Sequence, residues 1–173
     1  YLSHYSVHTV LAAKQGMIDH FAAKPGASKD KNNPVLAAML AGIDEGVGSI
    51  TSTLDQLGIA DRTVLIFASD NGGERRVTSN APLRGGKSQL YEGGIRVPLI
   101  VYRPGSHRSG ETCAVPVATP DLHPTLTELA GVKNGPNEVV DGESIVGLLD
   151  HERDLQRDSL YWHYPLDRPH FLG

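Results

Sequence analysis

An acidic residue and an amide follow a short apolar run near the middle of the chain. Residues 64–68 (VLIFA) are all apolar, and Asp70 and Asn71 come soon after them, directly ahead of two glycines. Carboxylate and amide oxygens are the hard ligands that Ca²⁺ or Mg²⁺ prefers. Glycine lets the backbone turn tightly and come close to a ligand. These residue types predict a cation site at the end of a strand.

Cationic side chains form a second group of chemistry-bearing residues. Arg84 and Lys87 flank two glycines in the segment RGGK, which predicts a flexible loop able to hold a tetrahedral oxyanion. Arg75 and Arg76 lie in the polar stretch between Asn71 and this loop. Loops beyond strand ends often set substrate choice, so either arginine could meet an anionic sugar or be a plain surface residue.

Length and composition limit the classes of protein to consider. The chain has 173 residues, enough for one domain with a proper core. Its net charge of -4 argues against a nucleic-acid-binding protein, which would carry a basic face. No apolar run approaches the ~20 residues that span a membrane, and no signal peptide is visible at its start. The single cysteine, Cys113, excludes an internal disulfide, and its apolar context predicts a buried strand residue.

The spacing of apolar residues predicts the elements that position these groups. Asn33 and Pro34 predict the start of a helix, and apolar residues every three or four positions continue it to Gly58. Unbroken apolar runs predict central strands at about 64–69 and 97–103, the first of them buried on both faces.

The flanking segments predict shorter elements. Residues 1–5 resemble the end of a strand, residues 113–118 are predicted as a further strand, and residues 159–165 as a strand that runs into a loop. Residues 119–131 begin with a threonine and a proline and end with glycine, which predicts a helix.

Three motifs in the middle of the chain resemble one family. SDNGG at 69–73, PLRGGK at 82–87 and YEGGIRVP at 91–98 resemble the C-terminal half of the arylsulfatases. The resemblance implies an α/β class and an alkaline-phosphatase-like three-layer sandwich, of which this chain forms part of the central mixed sheet with flanking helices. It also implies that residues 1–173 are the C-terminal portion of one sulfatase catalytic domain, with no separate second domain.

The resemblance assigns roles residue by residue. Asp70 and Asn71 match the metal ligands of the family, whose cation is usually Ca²⁺, with Mg²⁺ as the alternative. Lys87 matches the lysine that contacts the sulfate and the leaving oxygen. His8, in SHYSVHTV, matches the sulfate-facing histidine. His163 is a further candidate for the lining of the substrate pocket.

The nucleophile of the family is not found in these residues. Sulfatases use a formylglycine made from cysteine in a Cys-X-Pro-X-Arg context, whereas Cys113 is followed by Ala-Val-Pro-Val. The resemblance therefore places the formylglycine and the remaining metal ligands in an N-terminal half outside this chain. We expect the remainder of the same polypeptide to be its partner, and the 173-residue chain alone to be inactive.

The leading function is the hydrolysis of sulfuric esters, on a sulfated small molecule or a sulfated glycan. One alternative is a phosphodiesterase or phosphomutase of the same fold; such relatives use two zinc or manganese ions and place histidine after the aspartate. Asn71 favours the one-metal sulfatase arrangement, because an amide oxygen suits calcium. Another alternative is a non-catalytic module that binds anionic glycans. The family also implies export to a periplasmic, extracellular or lysosomal location.

Overall fold

The computed structural model describes residues 1–28, 31–106, 110–132, 135 and 138–165. Contacts between residues divide the chain into two compact units. The first unit comprises Tyr1–Gly105 with the residues from Tyr164 onward, and the second comprises Ser106–His163.

The predicted long helix is the main helix of the first unit. It is α2, Pro34–Gln56, and the side chain of Asn33 caps it by accepting hydrogen bonds from the N–H groups of Val35, at 2.9 Å, and Leu36, at 3.3 Å. Pro34 occupies the first turn, where its missing N–H costs nothing. Gly58 lies just past the end with a φ of +63°, as glycine does at many helix ends. The sequence prediction for this helix is confirmed.

A shorter helix, α1 at Gln15–Ala22, packs against α2. The buried apolar residues of α2 are Leu36, Ala38 and Met39. By length and composition alone, α2 is the one helix in the described part of the chain that could cross a membrane. However, α2 also packs on α1 and has apolar residues along one side, as a helix on a protein core does. The absence of a membrane span therefore stays a prediction.

Two strands form the sheet of the first unit. β1 is Leu65–Ala68 and β2 is Leu99–Tyr102, and they pair antiparallel with Leu65 opposite Tyr102. The two predicted central strands are thus confirmed, each shorter than expected. The other predicted strand of this unit, at residues 1–5, is wrong, because these residues form no regular structure.

The prediction that the first strand is buried on both faces is wrong for the residues described. Phe67 on β1 is 40% exposed, and Ile100 and Tyr102 on β2 are 59% and 56% exposed. Each strand has only the other as its hydrogen-bonded neighbour in the described sheet. A sheet of two short strands offers few neighbouring side chains that could cover those of either strand. Large apolar groups on a sheet remain exposed unless another layer packs on them.

The second unit is built on two helices. A 3₁₀ turn at Thr119–Asp121 leads into α4 at Leu122–Leu129, and α5 follows at Val146–Asp150. The short helix α3, Glu92–Ile95, belongs to the first unit. The helix predicted at 119–131 is confirmed, although its first turn is 3₁₀.

A buried ion pair holds the second unit together. Asp121 is 1% exposed, and its carboxylate accepts hydrogen bonds from both terminal nitrogens of Arg157, one of them at 2.6 Å. The N–H groups of Ala118, at 2.7 Å, and Glu143, at 2.9 Å, also donate to this carboxylate. Burial by itself raises the pKa of Asp121, but the Arg157 guanidinium and these N–H groups outweigh it and hold the pKa below its ordinary value.

The strands predicted at 113–118 and 159–165 are wrong, because these segments have no regular structure. The carbonyl of Pro116 instead accepts a hydrogen bond from Arg157 at 3.2 Å. Cys113 is exposed rather than buried. It lines a pocket of about 380 Å³ together with Leu148, His151 and other residues of the second unit.

Candidate active site

The predicted metal ligands lie side by side just beyond β1. The side-chain amide of Asn71 donates a hydrogen bond to the Asp70 carboxylate at 2.7 Å, so the two polar groups lie next to each other. The Ser69 hydroxyl donates to the carbonyl of Asn71 at 2.9 Å and closes the turn. Asp70 is exposed and Asn71 is half-buried. Their position at a strand end agrees with expectation; their role as ligands stays a prediction.

The glycines behind this pair permit two loops to pack backbone against backbone. The N–H of Gly72 donates to the carbonyl of Gly94 at 2.9 Å. A Cβ on Gly72 would overlap the carbonyl oxygen of Gly93. The N–H of Gly93 in turn donates to the carbonyl of Arg84 at 2.7 Å. The segments DNGG, RGGK and EGGI, which lie within residues 70–95, therefore form one platform, which we call the glycine platform.

Asn80 joins two segments of the glycine platform, and sequence reasoning missed it. Its side-chain oxygen accepts from the N–H of Gly73 at 2.9 Å. Its side-chain nitrogen donates to the carbonyls of Gly73, at 2.9 Å, and Gly85, at 3.2 Å. The only available signal was an asparagine in a turn-rich stretch, which does not reveal partners on two other loops.

Lys87 is anchored on the same platform. Its backbone N–H donates to the carbonyl of Gly73 at 3.1 Å. Gly73 lies three residues beyond Asp70 in the chain. Its side chain is half-buried. The pKa of Glu74 is lowered, mainly by hydrogen bonds from Arg76 and also by the positive charge of Lys87. A lysine and the predicted metal pair are thus joined through Gly73.

The two predicted histidines are both exposed. His8 has its Nδ1 at 2.6 Å from the carbonyl oxygen of Thr9, and its ring lies 5.8 Å from that of Tyr5. No contact within the described residues links His8 to Lys87 or Asp70. His163 belongs to the second unit. The roles of His8 toward sulfate and of His163 in a substrate pocket stay predictions.

The donor set at Asp70 and Asn71 fits a hard divalent cation in chemistry but does not complete its shell. Calcium takes about six to eight oxygen ligands. Within the described ranges, no three or more His, Cys, Asp or Glu residues lie together in a way that could hold a metal. A complete shell at this point needs ligands beyond these two residues.

Comparison with known proteins decides the family. The family model described as Sulfatase matches residues 1–132. The chain belongs to the sulfatase family. Membership implies a metal cofactor and a formylglycine in general, without specifying which metal.

Curated sulfatases match over most of this chain. A sulfatase of Formosa agariphila is 35% identical over 95% of the chain, and the steryl-sulfatase of Mus musculus is 33% identical over 95%. The N-acetylgalactosamine-6-sulfatase of Rattus norvegicus is 34% identical over 69%. The chain spans about a quarter to a third of the length of these relatives, at 32%, 26% and 24%.

Solved structures agree with the family. The crystal structure of Ps i-CgsB is 33% identical, with a TM-score of 0.80 over 89% of this chain and 34% of that one. A protein solved with its substrate D-glucosamine-2-N,6-O-disulfate is 26% identical, with a TM-score of 0.59 over 77% of this chain and 27% of that one. The fold of this sulfatase chain is therefore the alkaline-phosphatase-like fold that its motifs predicted.

Proposed function

We propose that residues 1–173 form the C-terminal part of one sulfatase catalytic domain, which hydrolyses sulfate esters. The observation that carries this proposal is the glycine platform, where the backbone of Lys87 hydrogen-bonds to Gly73, close to Asp70 and Asn71. The backbone of a lysine is thereby joined to the segment that carries two hard oxygen donors. That combination suits an anionic ester whose oxygens gain charge during reaction.

In this proposal, Asp70 and Asn71 hold a Ca²⁺ ion through a carboxylate and an amide oxygen. When bound, the cation supplies charge stabilisation to the sulfate oxygens. The remaining ligands and the formylglycine come from an N-terminal half, and we call the two parts together the complete enzyme.

Lys87 has the central role among the residues of this chain. Its ammonium has three donors and no acceptor, so it can bind a sulfate oxygen and the ester oxygen together. When the ester bond breaks, negative charge develops on the leaving oxygen, and a positive charge already in place lowers the barrier. His8 contributes a hydrogen bond to a sulfate oxygen, and His163 lines the pocket that receives the alcohol part of the ester.

The substrate class follows from the named relatives and remains part of the proposal. Curated relatives include steryl-sulfatases and an N-acetylgalactosamine-6-sulfatase, and a structural neighbour was solved with a doubly sulfated glucosamine. A sulfated glycan or a small sulfate ester is therefore the expected substrate. An exported location, periplasmic, extracellular or lysosomal, is the matching proposal for the compartment.

Hydrolysis of 4-nitrophenyl sulfate by the complete enzyme tests the proposed function. We expect turnover that is lost on treatment with a chelator and restored by Ca²⁺. Lack of turnover in a folded, formylglycine-containing preparation would contradict the proposal and leave the non-catalytic glycan-binding module.

A phosphoryl-transfer relative is the second candidate. A phosphonate monoester hydrolase from Silicibacter pomeroyi is 26% identical and has a TM-score of 0.58 over 73% of this chain. Turnover of 4-nitrophenyl phenylphosphonate in preference to 4-nitrophenyl sulfate by the complete enzyme would favour this candidate. We expect the opposite preference, because Asn71 stands where the two-metal relatives have histidine.

A further inference from the structure

We propose that Arg75 is a specificity residue that binds a second sulfate group of a saccharide substrate, next to the sulfate ester held by Lys87. This inference rests on the proposed function and names the substrate class more closely. It is carried by the different surroundings of three arginines on the glycine platform: Arg75, Arg76 and Arg84.

Arg75 lies against the loop that carries Lys87. Its Cγ is 2.7 Å from the place that a Cβ on Gly86 would occupy, so the arginine stem covers Gly86. Any side chain at Gly86 would push Arg75 away. Because Gly86 directly precedes Lys87, the stem of Arg75 lies on the loop that carries this lysine.

The charge of Arg75 is not neutralised by a carboxylate in the described part of the chain. Its one hydrogen bond there is a long one, 3.4 Å from Nη1 to the side-chain oxygen of Gln89. A neutral amide oxygen leaves the guanidinium with its full charge. The side chain is exposed, so a ligand can reach it.

Arg76 is the contrasting neighbour. Its Nε and Nη2 donate to the Glu74 carboxylate at 3.2 and 3.1 Å. These bonds raise the pKa of Arg76 and occupy the face of the guanidinium that would grip an anion. Among the residues that the structure describes, Arg76 therefore has a carboxylate partner of its own, and Arg75 does not.

Arg84 supports the other side of the same loop. Its guanidinium carbon lies 3.8 Å from the centroid of the Tyr91 ring, in a cation–π contact. A Cβ on Gly85 would meet both the side-chain oxygen of Gln89, at 2.8 Å, and Tyr91, at 3.0 Å. Arg75 is hydrogen-bonded to Gln89, and Arg84 lies on the Tyr91 ring. Both pairs of side chains therefore pack against the loop of Gly85 and Gly86.

The ligand chemistry follows from the guanidinium group. The planar fork of N–H donors on a guanidinium pairs with two sulfate oxygens in one fixed plane, whereas an ammonium acts as a point charge without that geometry. One cation at Lys87 and a second at Arg75 suit a substrate with two anionic groups on the same or neighbouring sugars. A saccharide with two sulfates per disaccharide is such a ligand.

Titration calorimetry on the complete enzyme tests this inference without depending on turnover. The probes are two hexasaccharides of the same sugar backbone that carry one or two sulfates per disaccharide. We expect the doubly sulfated probe to bind about tenfold more tightly to the unmodified protein, since hydrogen bonds to charged groups are the stronger ones. We expect Arg75→Gln to abolish most of this preference, and about 1 M salt to reduce it by screening.

Arg76→Gln is the matched control, because it removes an adjacent guanidinium already bound to Glu74. The preference should persist in Arg76→Gln. Equal binding of the two probes to the unmodified protein, or an unchanged preference in Arg75→Gln, would overturn the inference. Loss of the preference in Arg76→Gln to the same extent would also overturn it, by showing a general charge effect. The proposed function is judged separately, by hydrolysis of 4-nitrophenyl sulfate.

Discussion

At the residue scale, the candidate site depends on a few backbone hydrogen bonds rather than on side-chain pairs. Lys87 reaches the neighbourhood of Asp70 because its N–H bonds to Gly73, not because the two side chains touch. In the proposed mechanism, the Lys87 ammonium is the group that meets the substrate, while its backbone is fixed by Gly73. The half-buried position of Lys87 further limits competition from water.

Lys87→Ala in the complete enzyme should lower kcat/KM for 4-nitrophenyl sulfate by about 10²-fold or more, since one charge-stabilising donor is removed. Steady-state kinetics measures the change. Arg62→Gln, a change at an exposed position in the 3₁₀ turn Ala60–Arg62, is the control and should stay within about twofold. Near-normal turnover by Lys87→Ala would remove this lysine from the mechanism.

Asn80→Ala should destabilise the glycine platform. It removes three hydrogen bonds and leaves the N–H of Gly73 without its acceptor, at a cost of about 1–3 kcal/mol in the free energy of unfolding. Urea denaturation of the complete enzyme measures this loss. Ser79→Ala is the neighbouring control, because the Ser79 hydroxyl is exposed and accepts only a 3.3 Å bond from Ala81. Equal stability of the two variants would contradict the role given to Asn80.

At the element scale, the features that sequence predicted are those set by neighbouring residues. Asn33 and Pro34 determine the start of α2 locally, so the pattern was sufficient. The sequence motifs also placed Asp70 and Asn71 beyond a strand. The failed strands at 113–118 and 159–165 show the limit, because a strand needs a partner that its own residues do not specify. Asp121 and Arg157 are 36 positions apart, and no local pattern connects them.

The second unit should lose stability in acid through Asp121. The folded-state pKa of this carboxyl is below its unfolded value, so its stabilising contribution is present above the unfolded pKa. That contribution is lost as the pH falls through the lower, folded-state pKa. Denaturation of the complete enzyme, followed at a series of pH values, should show this loss below about pH 4.

Asp121→Asn should remove that acid dependence and cost about 1.5–3 kcal/mol at neutral pH, since it weakens hydrogen bonds from the charged, partly buried Arg157. The exposed pair of Arg153 and Glu128, joined at 2.8 Å, is the control. Glu128→Gln should cost less than about 1 kcal/mol. A neutral-pH cost for Asp121→Asn as small as for Glu128→Gln would show that the buried pair does not hold the unit together.

At the scale of the whole molecule, the exposed apolar side chains on β1 and β2 indicate that this chain requires another protein surface to cover its sheet. Phe67, Ile100 and Tyr102 are exposed on a two-stranded sheet, which is marginal in water by itself. The proposed N-terminal half accounts for both observations, because it would add strands to the sheet and layers to its faces. The same half would bring the nucleophile and the missing ligands.

The purified 173-residue chain should not hydrolyse 4-nitrophenyl sulfate, and it should bind an apolar dye such as anilinonaphthalene sulfonate. Adding the separately produced N-terminal half should lower dye fluorescence and produce turnover together. Hydrolysis by the chain alone would show that its nucleophile lies within these residues. A chain that binds no dye would show that its sheet is already covered.

The contact of Gly72 with Gly93 determines which positions of this chain can be diversified. A side chain at Gly72 has no room, since it would meet the backbone of another loop. Arg75 and Arg76 lie on the same segment, and both are exposed. A mutant library built to change substrate preference should therefore vary these two arginine codons and keep the glycine codons fixed. Selection from such a library would explore new saccharides while the loop framework keeps its shape.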